Sequence, residues 1–318
     1  MIEWAAPGKA VIWGEYAVLA GAPALVMAVD RYARAAVTPG GGVWHIVSRG
    51  FESEGTLSAG ELAGIEPGDG SGAVQVIRAA LAALDDPPLP AGAEVRTDTT
   101  RFHERGEKLG IGSSAAVCSA ACAALADALD RPFTPEVALR AHQLLQGRAG
   151  SGLDIAAACR GGLLRFQAGN AAECRWPREL HYRFFWAGHP ASTTDHVARF
   201  NQWRASADTD TLDALCRAAE ALFARTDLDR LQDYVACLKA MDGAAGLGIY
   251  GAAHARLDEL ASRAQVVYKP CGAGGGDIGI AVSDDASSLD SLTTLAARES
   301  FPSLTLEIAA HGVHRISS

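Results

Sequence analysis

Lys108-Leu-Gly-Ile-Gly-Ser-Ser-Ala-Ala-Val117 sets a flexible glycine and serine loop directly onto an Ala-rich stretch that reads as a long helix to about Leu129. Such a junction points unpaired backbone N–H groups and the positive end of a helix dipole at one place, where an anion such as a phosphate can sit. Gly110 and Gly112 allow the main chain to come close to a ligand. The hydroxyls of Ser113 and Ser114 can cap the helix, touch phosphate oxygens or hold Mg²⁺. Taken alone, the stretch fits an ordinary serine-capped helix as well as it fits a phosphate loop.

Two further glycine-bearing segments shift that balance. One is Ala6-Pro-Gly-Lys-Ala-Val-Ile-Trp-Gly-Glu-Tyr-Ala-Val-Leu-Ala-Gly21, the other Lys269-Pro-Cys-Gly-Ala-Gly-Gly-Gly-Asp-Ile-Gly-Ile-Ala-Val282. Three such segments far apart in one chain are hard to explain as unrelated turns. None contains Gly-x-x-x-x-Gly-Lys-Ser/Thr, so none is a P-loop. The Gly272–Gly276 run is not a dinucleotide fingerprint either, because Ile278–Val282 after it reads as a buried strand rather than a helix.

Composition narrows the class. The 318 residues suit one large or two medium domains, and 49% hydrophobic with 20% charged residues is ordinary for a soluble enzyme. A formal net charge of −9 argues against a nucleic-acid partner and requires local cations for any anionic substrate. Arg101, His103, Arg105 and Lys108 form a basic cluster just before the loop, which suits either that task or a solvated surface. Seven cysteines without Cys-x-x-Cys read as free thiols of a reducing compartment. Charged residues interrupt the first thirty positions, and no run approaches the roughly 20 apolar residues of a membrane span, so a cytoplasmic protein without a membrane partner is expected. His311 and His314 read as surface residues rather than as a metal site.

Short apolar runs at Val11–Trp13 and Ala24–Val29 read as strands, or as a strand and a buried helix turn, and stretches at Val43–Val47, Ala93–Thr97, Gly161–Phe166 and Tyr182–Trp186 read as strands. Ala73–Leu84 and Pro135–Leu145 read as helices, the latter with Thr134 as N-cap. From about Asp210 the chain turns helical: Leu212, Leu215, Ala219 and Leu222 share one face, and Leu228–Met241 and Gly251–Ala264 continue the pattern. Val266–Lys269 and Gly279–Val282 flank the third glycine segment. A helix at Ser287–Glu299 and a strand at Leu304–Ala309 close the chain. Helices and strands mixed without regular βαβ alternation predict an α+β fold.

The order Pro-Gly-Lys…Gly-Glu, then Gly-x-Gly-Ser-Ser-Ala, then Lys-Pro-x-Gly-Ala-Gly-Gly-Gly-Asp resembles the three motifs of the GHMP kinases, which phosphorylate small metabolites such as galactose, homoserine and mevalonate. Gly14-Glu-Tyr-Ala-Val18, Ala28-Val-Asp-Arg-Tyr32, Gln146-Gly-Arg-Ala-Gly-Ser-Gly-Leu-Asp-Ile-Ala156 and Gly188-His-Pro-Ala-Ser-Thr-Thr194 are similar to the branch of that family acting on phosphomevalonate. The resemblance runs from about Ala5 to Val282.

It implies two domains, 1–180 and 181–318, facing across a cleft for nucleotide and substrate. It implies ATP and Mg²⁺ as cofactors and a small anionic acceptor, phosphomevalonate or a related compound, in a monomer or homodimer. Lys9 and Asp154 are then the catalytic pair at the transferred phosphoryl group. Read from the residues alone, Asp154 is a helix N-cap and Lys9 a surface residue. Lys108, Gly110, Ile111, Gly112, Ser113, Ser114 and Ala115 are expected to bind the nucleotide, with Ser114 on the metal side. Lys9, Glu15, Tyr16, Lys108, Arg148, Ser151, Gly152, Asp154, Ser192 and Gly274 are expected around the acceptor. Ser192 and Thr193 also fit the N-cap of a helix through Val197. Gly272–Gly276 is expected to pack behind the phosphate loop, with Cys271 as packing and Asp277 structural. One departure stands out: the mevalonate branch carries a glutamate where this chain has Ala141-His-Gln143, which suits a branch other than mevalonate kinase or a metal held mainly by nucleotide phosphates and water. Kinase action on mevalonate or another small alcohol is one alternative. A nucleotide-binding sensor without turnover is another.

Overall fold

The first forty positions, rich in alanine and glycine, form one long hairpin. In the computed structural model, which describes residues 1–50, 54–68, 72–104, 106–146, 151–189, 193–206 and 209–316, β1 (Ile2–Trp13) runs antiparallel to β2 (Ala24–Pro39). Both strands extend well beyond the short apolar runs read from sequence. A register shift at Pro7/Gly8 absorbs the proline, so pairing continues from Val11 opposite Val26 to Ile2 opposite Val37.

The rest of the larger sheet is built on β2. In chain order follow β3 (Trp44–Arg49), β4 (Gly55–Leu57), α1 (Ala59–Gly64), α2 (Ala73–Ala83) and β5 (Ala93–Asp98). β5 pairs with the outer half of β2, β3 runs parallel to β5, and β4 returns along β3. A two-residue hairpin, β6 (His103–Glu104) and β7 (Glu107–Lys108), leads into α3 (Ser113–Ala128), α4 (Pro135–Gln146) and α5 (Leu153–Arg160). β8 (Leu163–Gln167) pairs with Ala24–Met27 of β2, and β9 (Asn170–Cys174) pairs with β8. α3 packs on β1, β2, α2 and α4, which is why nearly every one of its side chains is buried, polar Ser119 included.

A second, antiparallel sheet has the order β11-β12-β10-β13. It is made by β10 (His181–Trp186), then after α6 (Thr193–Ser206), α7 (Asp210–Ala224), α8 (Leu228–Ala245) and α9 (Ala252–Arg263) by β11 (Val267–Pro270) and β12 (Ile278–Ser283), and after α10 (Ala286–Arg298) by β13 (Ser303–Leu304). The predicted face of α7 is the buried one: Leu212, Leu215, Ala219 and Leu222 all point inward. The expected strand Leu304–Ala309 is cut to β13. Past Leu304 the chain leaves the second sheet for β2, where Asp30 N donates to Glu307 O at 3.0 Å and Ala309 N to Ala28 O at 2.9 Å. β14 (His314–Arg315) then pairs with the edge of β1.

The fold is α+β, as the mixed pattern predicted. One cluster of buried apolar side chains includes Ile12 and Val117 beside the larger sheet and Tyr234 and Leu238 of α8. All seven cysteines are free; Cys118, Cys122 and Cys271 are buried and the other four half-buried. Among the described residues no helix is long and apolar enough to cross a membrane, and no group of three or more His, Cys, Asp or Glu side chains is placed to hold a metal.

Candidate active site

β1 and the start of α3 form one unit. Gly112 is the N-cap of α3 in a left-handed conformation (φ 79°), and no side chain caps that end. The backbone N–H groups of the first turn are therefore left for a ligand. Lys9 N donates to Ile111 O at 2.7 Å, and the Lys9 stem lies across Gly112, where an added Cβ would fall 2.9 Å from Lys9 Cγ. From there the Lys9 ammonium reaches Asp154 Oδ1 at 3.3 Å. The lysine side chain is 13% exposed and the aspartate 36%, so the pair is anchored yet open to a ligand. Asp154 is the second residue of α5. Gly152 is its N-cap, so the carboxylate is free of the capping role that its residues alone suggested.

The third glycine segment closes the site from the other side. Its carbonyls are held by Tyr16 OH, donating to Ala273 O at 2.6 Å, by His189 Nε2 to Gly275 O at 2.8 Å, and by His254 Nε2 to Gly276 O at 2.7 Å. Because a carbonyl can only accept, His254 carries its proton on Nε2, and Tyr268 OH donates to Nδ1 at 2.7 Å. Burial pushes the His254 imidazole down to about 4. Burial likewise pushes the Cys271 thiol up to about 12, which leaves it a packing group rather than a nucleophile. Gly272–Gly276 was expected behind the phosphate loop, but the closest approach is made by Asp277: a Cβ on Gly110 would fall 1.9 Å from its carboxylate carbon. Gly272 faces the lysine instead, its virtual Cβ 3.8 Å from Lys9 Nζ.

Between these parts lies a cavity of about 260 Å³. Lys9, Asp154, Gly272 and Ala273 line it; Val11, Val18, Leu19 and Val197 give it an apolar wall; His142, Gln146, Ser151 and Asn201 supply neutral polar groups. Burial holds the His142 imidazole below its usual range; the charge of Asp154 opposes this and that of Lys9 adds to it. His142 is thus a neutral donor and acceptor, with Gln146 Nε2 at 3.1 Å from its Nε2.

Residues 70–162 match the family model described as GHMP kinases N terminal domain. Over that stretch the chain is similar to the N-terminal domain of the GHMP kinases. It is 29% identical to the phosphomevalonate kinase of Streptomyces sp. (strain CL190) over 90% of both chains. It is 31% identical to the mevalonate kinase of Aeropyrum pernix over 52% of this chain and 50% of that one. A solved structure of Streptococcus pneumoniae phosphomevalonate kinase in complex with phosphomevalonate and AMPPNP superposes with a TM-score of 0.74 at 20% identity, covering 97% of this chain and 100% of that one, a likeness that bears on the fold.

The structure gathers some of the expected residues and not others. Lys9, Tyr16, Ser151, Gly152 and Asp154 line the cavity together. Glu15 also borders it, its side chain only 1% exposed and its carboxylate bonded to Lys269 and Tyr234. Gly274 is not among the lining residues; it packs on Ile249, so its glycine identity is a matter of packing. Lys108 is exposed on the β6–β7 hairpin and does not line the cavity. Ile111 and Ser113 are buried, Ser114 is half-buried, and the Ala115 side chain packs with Ala138 and Ile155. Arg105, Arg148 and Ser192 lie outside the described residues. His142, Gln146 and Asn201 were not anticipated as lining groups. For His142 a signal existed, since it is a polar residue on the buried face of α4 with Val137, Ala138 and Ala141.

Proposed function

We propose that this protein transfers the γ-phosphoryl group of ATP, with Mg²⁺, to a small anionic metabolite, and that the acceptor is phosphomevalonate, yielding the diphosphate. The observation that carries this reading is the course of Lys9: backbone on Ile111, stem across the α3 N-cap, ammonium at Asp154. One cation thereby links the anion-binding helix end to the cavity in which an acceptor fits. Phosphoryl transfer asks chiefly for such positioning and charge stabilisation.

In this reading the ATP phosphates lie over Gly110–Ser114, and the acceptor occupies the cavity with its attacking oxygen toward Lys9 and Asp154. An acceptor phosphate oxygen attacks the γ-phosphorus, the bond to the bridging oxygen breaks, and ADP leaves. Lys9 offsets the charge that builds on the transferring oxygens, and Asp154 holds Lys9 in place. The described residues do not build a complete metal cage, which fits an ion that arrives on the nucleotide phosphates and needs one or two protein ligands. The Ser114 hydroxyl at the first turn of α3, with Asp154, would hold it, and the ion would neutralise phosphate charge. The two separate sheets support taking 1–180 and 181–318 as two domains, with the C-terminal tail crossing back to pair with β2 and β1 of the first sheet. Choice of phosphomevalonate rests on the relative that matches over nine-tenths of both chains.

An ADP-release assay over a panel of acceptors tests the reading. Turnover with phosphomevalonate well above that with mevalonate, homoserine or galactose is expected. Turnover of mevalonate alone overturns the acceptor while keeping the kinase; nucleotide binding without turnover of any acceptor replaces the kinase by a sensor.

A further inference from the structure

The turn at Gly14–Tyr16 and the stretch from Lys269 to Ala273 meet in a charged cluster that phosphoryl transfer itself does not call on. The side chains of Glu15 and Lys269 are each 1% exposed, and Tyr234 of α8 is fully buried. Lys269 Nζ donates to Glu15 Oε1 and, at 2.6 Å, to Pro270 O. Tyr234 OH donates to Glu15 Oε2 at 2.7 Å and accepts from Gly14 N at 2.8 Å. Burial and the neighbouring Glu15 charge push the Tyr234 hydroxyl well above its usual value, which keeps it a donor.

A buried ion pair of this kind adds little net stability over apolar side chains of equal volume, because desolvation offsets the attraction. What it fixes is geometry, and the adjoining residues show which. Tyr16 sits at φ 60° and ψ −43°, outside the regions open to a bulky residue, and such a conformation persists only where its surroundings overdetermine it. Its hydroxyl is tied to Ala273 O and its ring centroid lies 5.0 Å from that of Phe200. Gly272, next to Ala273, is the glycine that faces Lys9 Nζ.

We propose that Glu15, Lys269 and Tyr234 form a positioning clamp that fixes the Gly272–Ala273 edge of the cavity relative to Lys9 and Asp154, and thereby sets the alignment of the reacting groups. Its effect on rate rests on the phosphoryl-transfer reading; its effect on structure does not.

The test compares Lys269→Met, Glu15→Gln/Lys269→Met and Tyr234→Phe with the unmodified chain. Lys269→Met leaves a buried carboxylate unpaired and lowers Tm strongly, whereas the double variant, neutral at both positions, recovers most of the loss. Hydrogen exchange is then read at the amides of 14–17 and 271–276. The clamp requires faster exchange at both segments together in the folded double variant and in Tyr234→Phe, with exchange in α3 unchanged. For a displaced site kcat falls about tenfold in the double variant while both KM values stay within about threefold. Unchanged exchange at both segments in either folded variant overturns the clamp. Raised exchange with wild-type kcat overturns its role in alignment. If the double variant does not fold, Tyr234→Phe decides by the same readings. If the unmodified chain turns over no acceptor, the kinase reading fails by itself, and exchange still decides the clamp.

Discussion

Gly110 has a φ of 70° and the Asp277 carboxylate directly above its α-carbon, so the position excludes even a methyl group. Gly110→Ala is expected to cost about 1–3 kcal/mol through overpacking and a strained backbone, and to weaken ATP binding, because Asp277 or the loop must move. Thermal unfolding and calorimetric titration with ATP check both parts; wild-type stability would show that the Asp277 contact is dispensable. Lys9→Met is expected to lower kcat by about 10²–10³ through loss of transition-state charge stabilisation, with little change in Tm because the pair is partly exposed. That Lys9 and Asp154 meet was legible only through the family resemblance, Lys9 by its place in the first motif and Asp154 by the segment Gln146–Ala156. From its neighbours alone Asp154 is a helix N-cap, and nothing local says that Gly152 takes that role or that β1 delivers a lysine to it. For Glu15 the motif does not reveal the partner: a lysine remote in the chain holds its carboxylate.

Elements with a strong period were legible, whereas elements defined by their partners were not. α7 buries the four residues that its spacing predicts, and α3 runs as the Ala-rich stretch suggests. β1 and β2 were underestimated because a proline and several glycines and alanines weaken the strand pattern, while pairing with each other and with α3 supplies what propensity does not. The tail after Leu304 reads as a strand but is divided between two sheets. At the N-terminus of α3, Gly112→Val combines a side chain in left-handed backbone with contact on the Lys9 stem. ATP affinity is expected to fall by at least about tenfold in a protein that still folds; unchanged affinity removes the phosphate loop from the site. On α9, His254 links helix to glycine loop as a neutral ring. With its value lowered from 6.5 to about 4, the unfolded chain binds a proton that the folded one refuses across that interval. Stability from this group is therefore complete above pH 6.5 and is lost as pH falls toward 4, by up to about 1.4 kcal/mol per pH unit. Urea midpoints from pH 7 to 4 should fall less steeply in His254→Gln; parallel curves would remove His254 as the cause.

For the whole molecule the question is how a chain of net charge −9 would receive the negatively charged acceptor proposed for it, and the answer separates the two kinase readings. Among the described lining residues of the cavity, Lys9 is the only Lys or Arg, and Asp154 sits beside it. A phosphate-bearing acceptor therefore depends on attraction that salt weakens, so its KM should rise with ionic strength more than that of a neutral polyol. The two acceptors also ask different things of Asp154. A phosphate monoester has its second pKa near about 6, so at neutral pH its attacking oxygen is already ionised and needs no base. Asp154 then serves mainly to hold Lys9, and Asp154→Asn should be no more damaging than Lys9→Met. An alcohol must lose a proton as it attacks, and for it Asp154→Asn should be the worse of the two. With phosphomevalonate, kcat/KM of the unmodified enzyme should fall about tenfold per unit below pH 6, following protonation of the acceptor, and Asp154→Asn should keep that profile at a lower level. Loss of the acid limb in Asp154→Asn would instead assign the titration to Asp154, make it a general base, and move the acceptor from a phosphate to a hydroxyl.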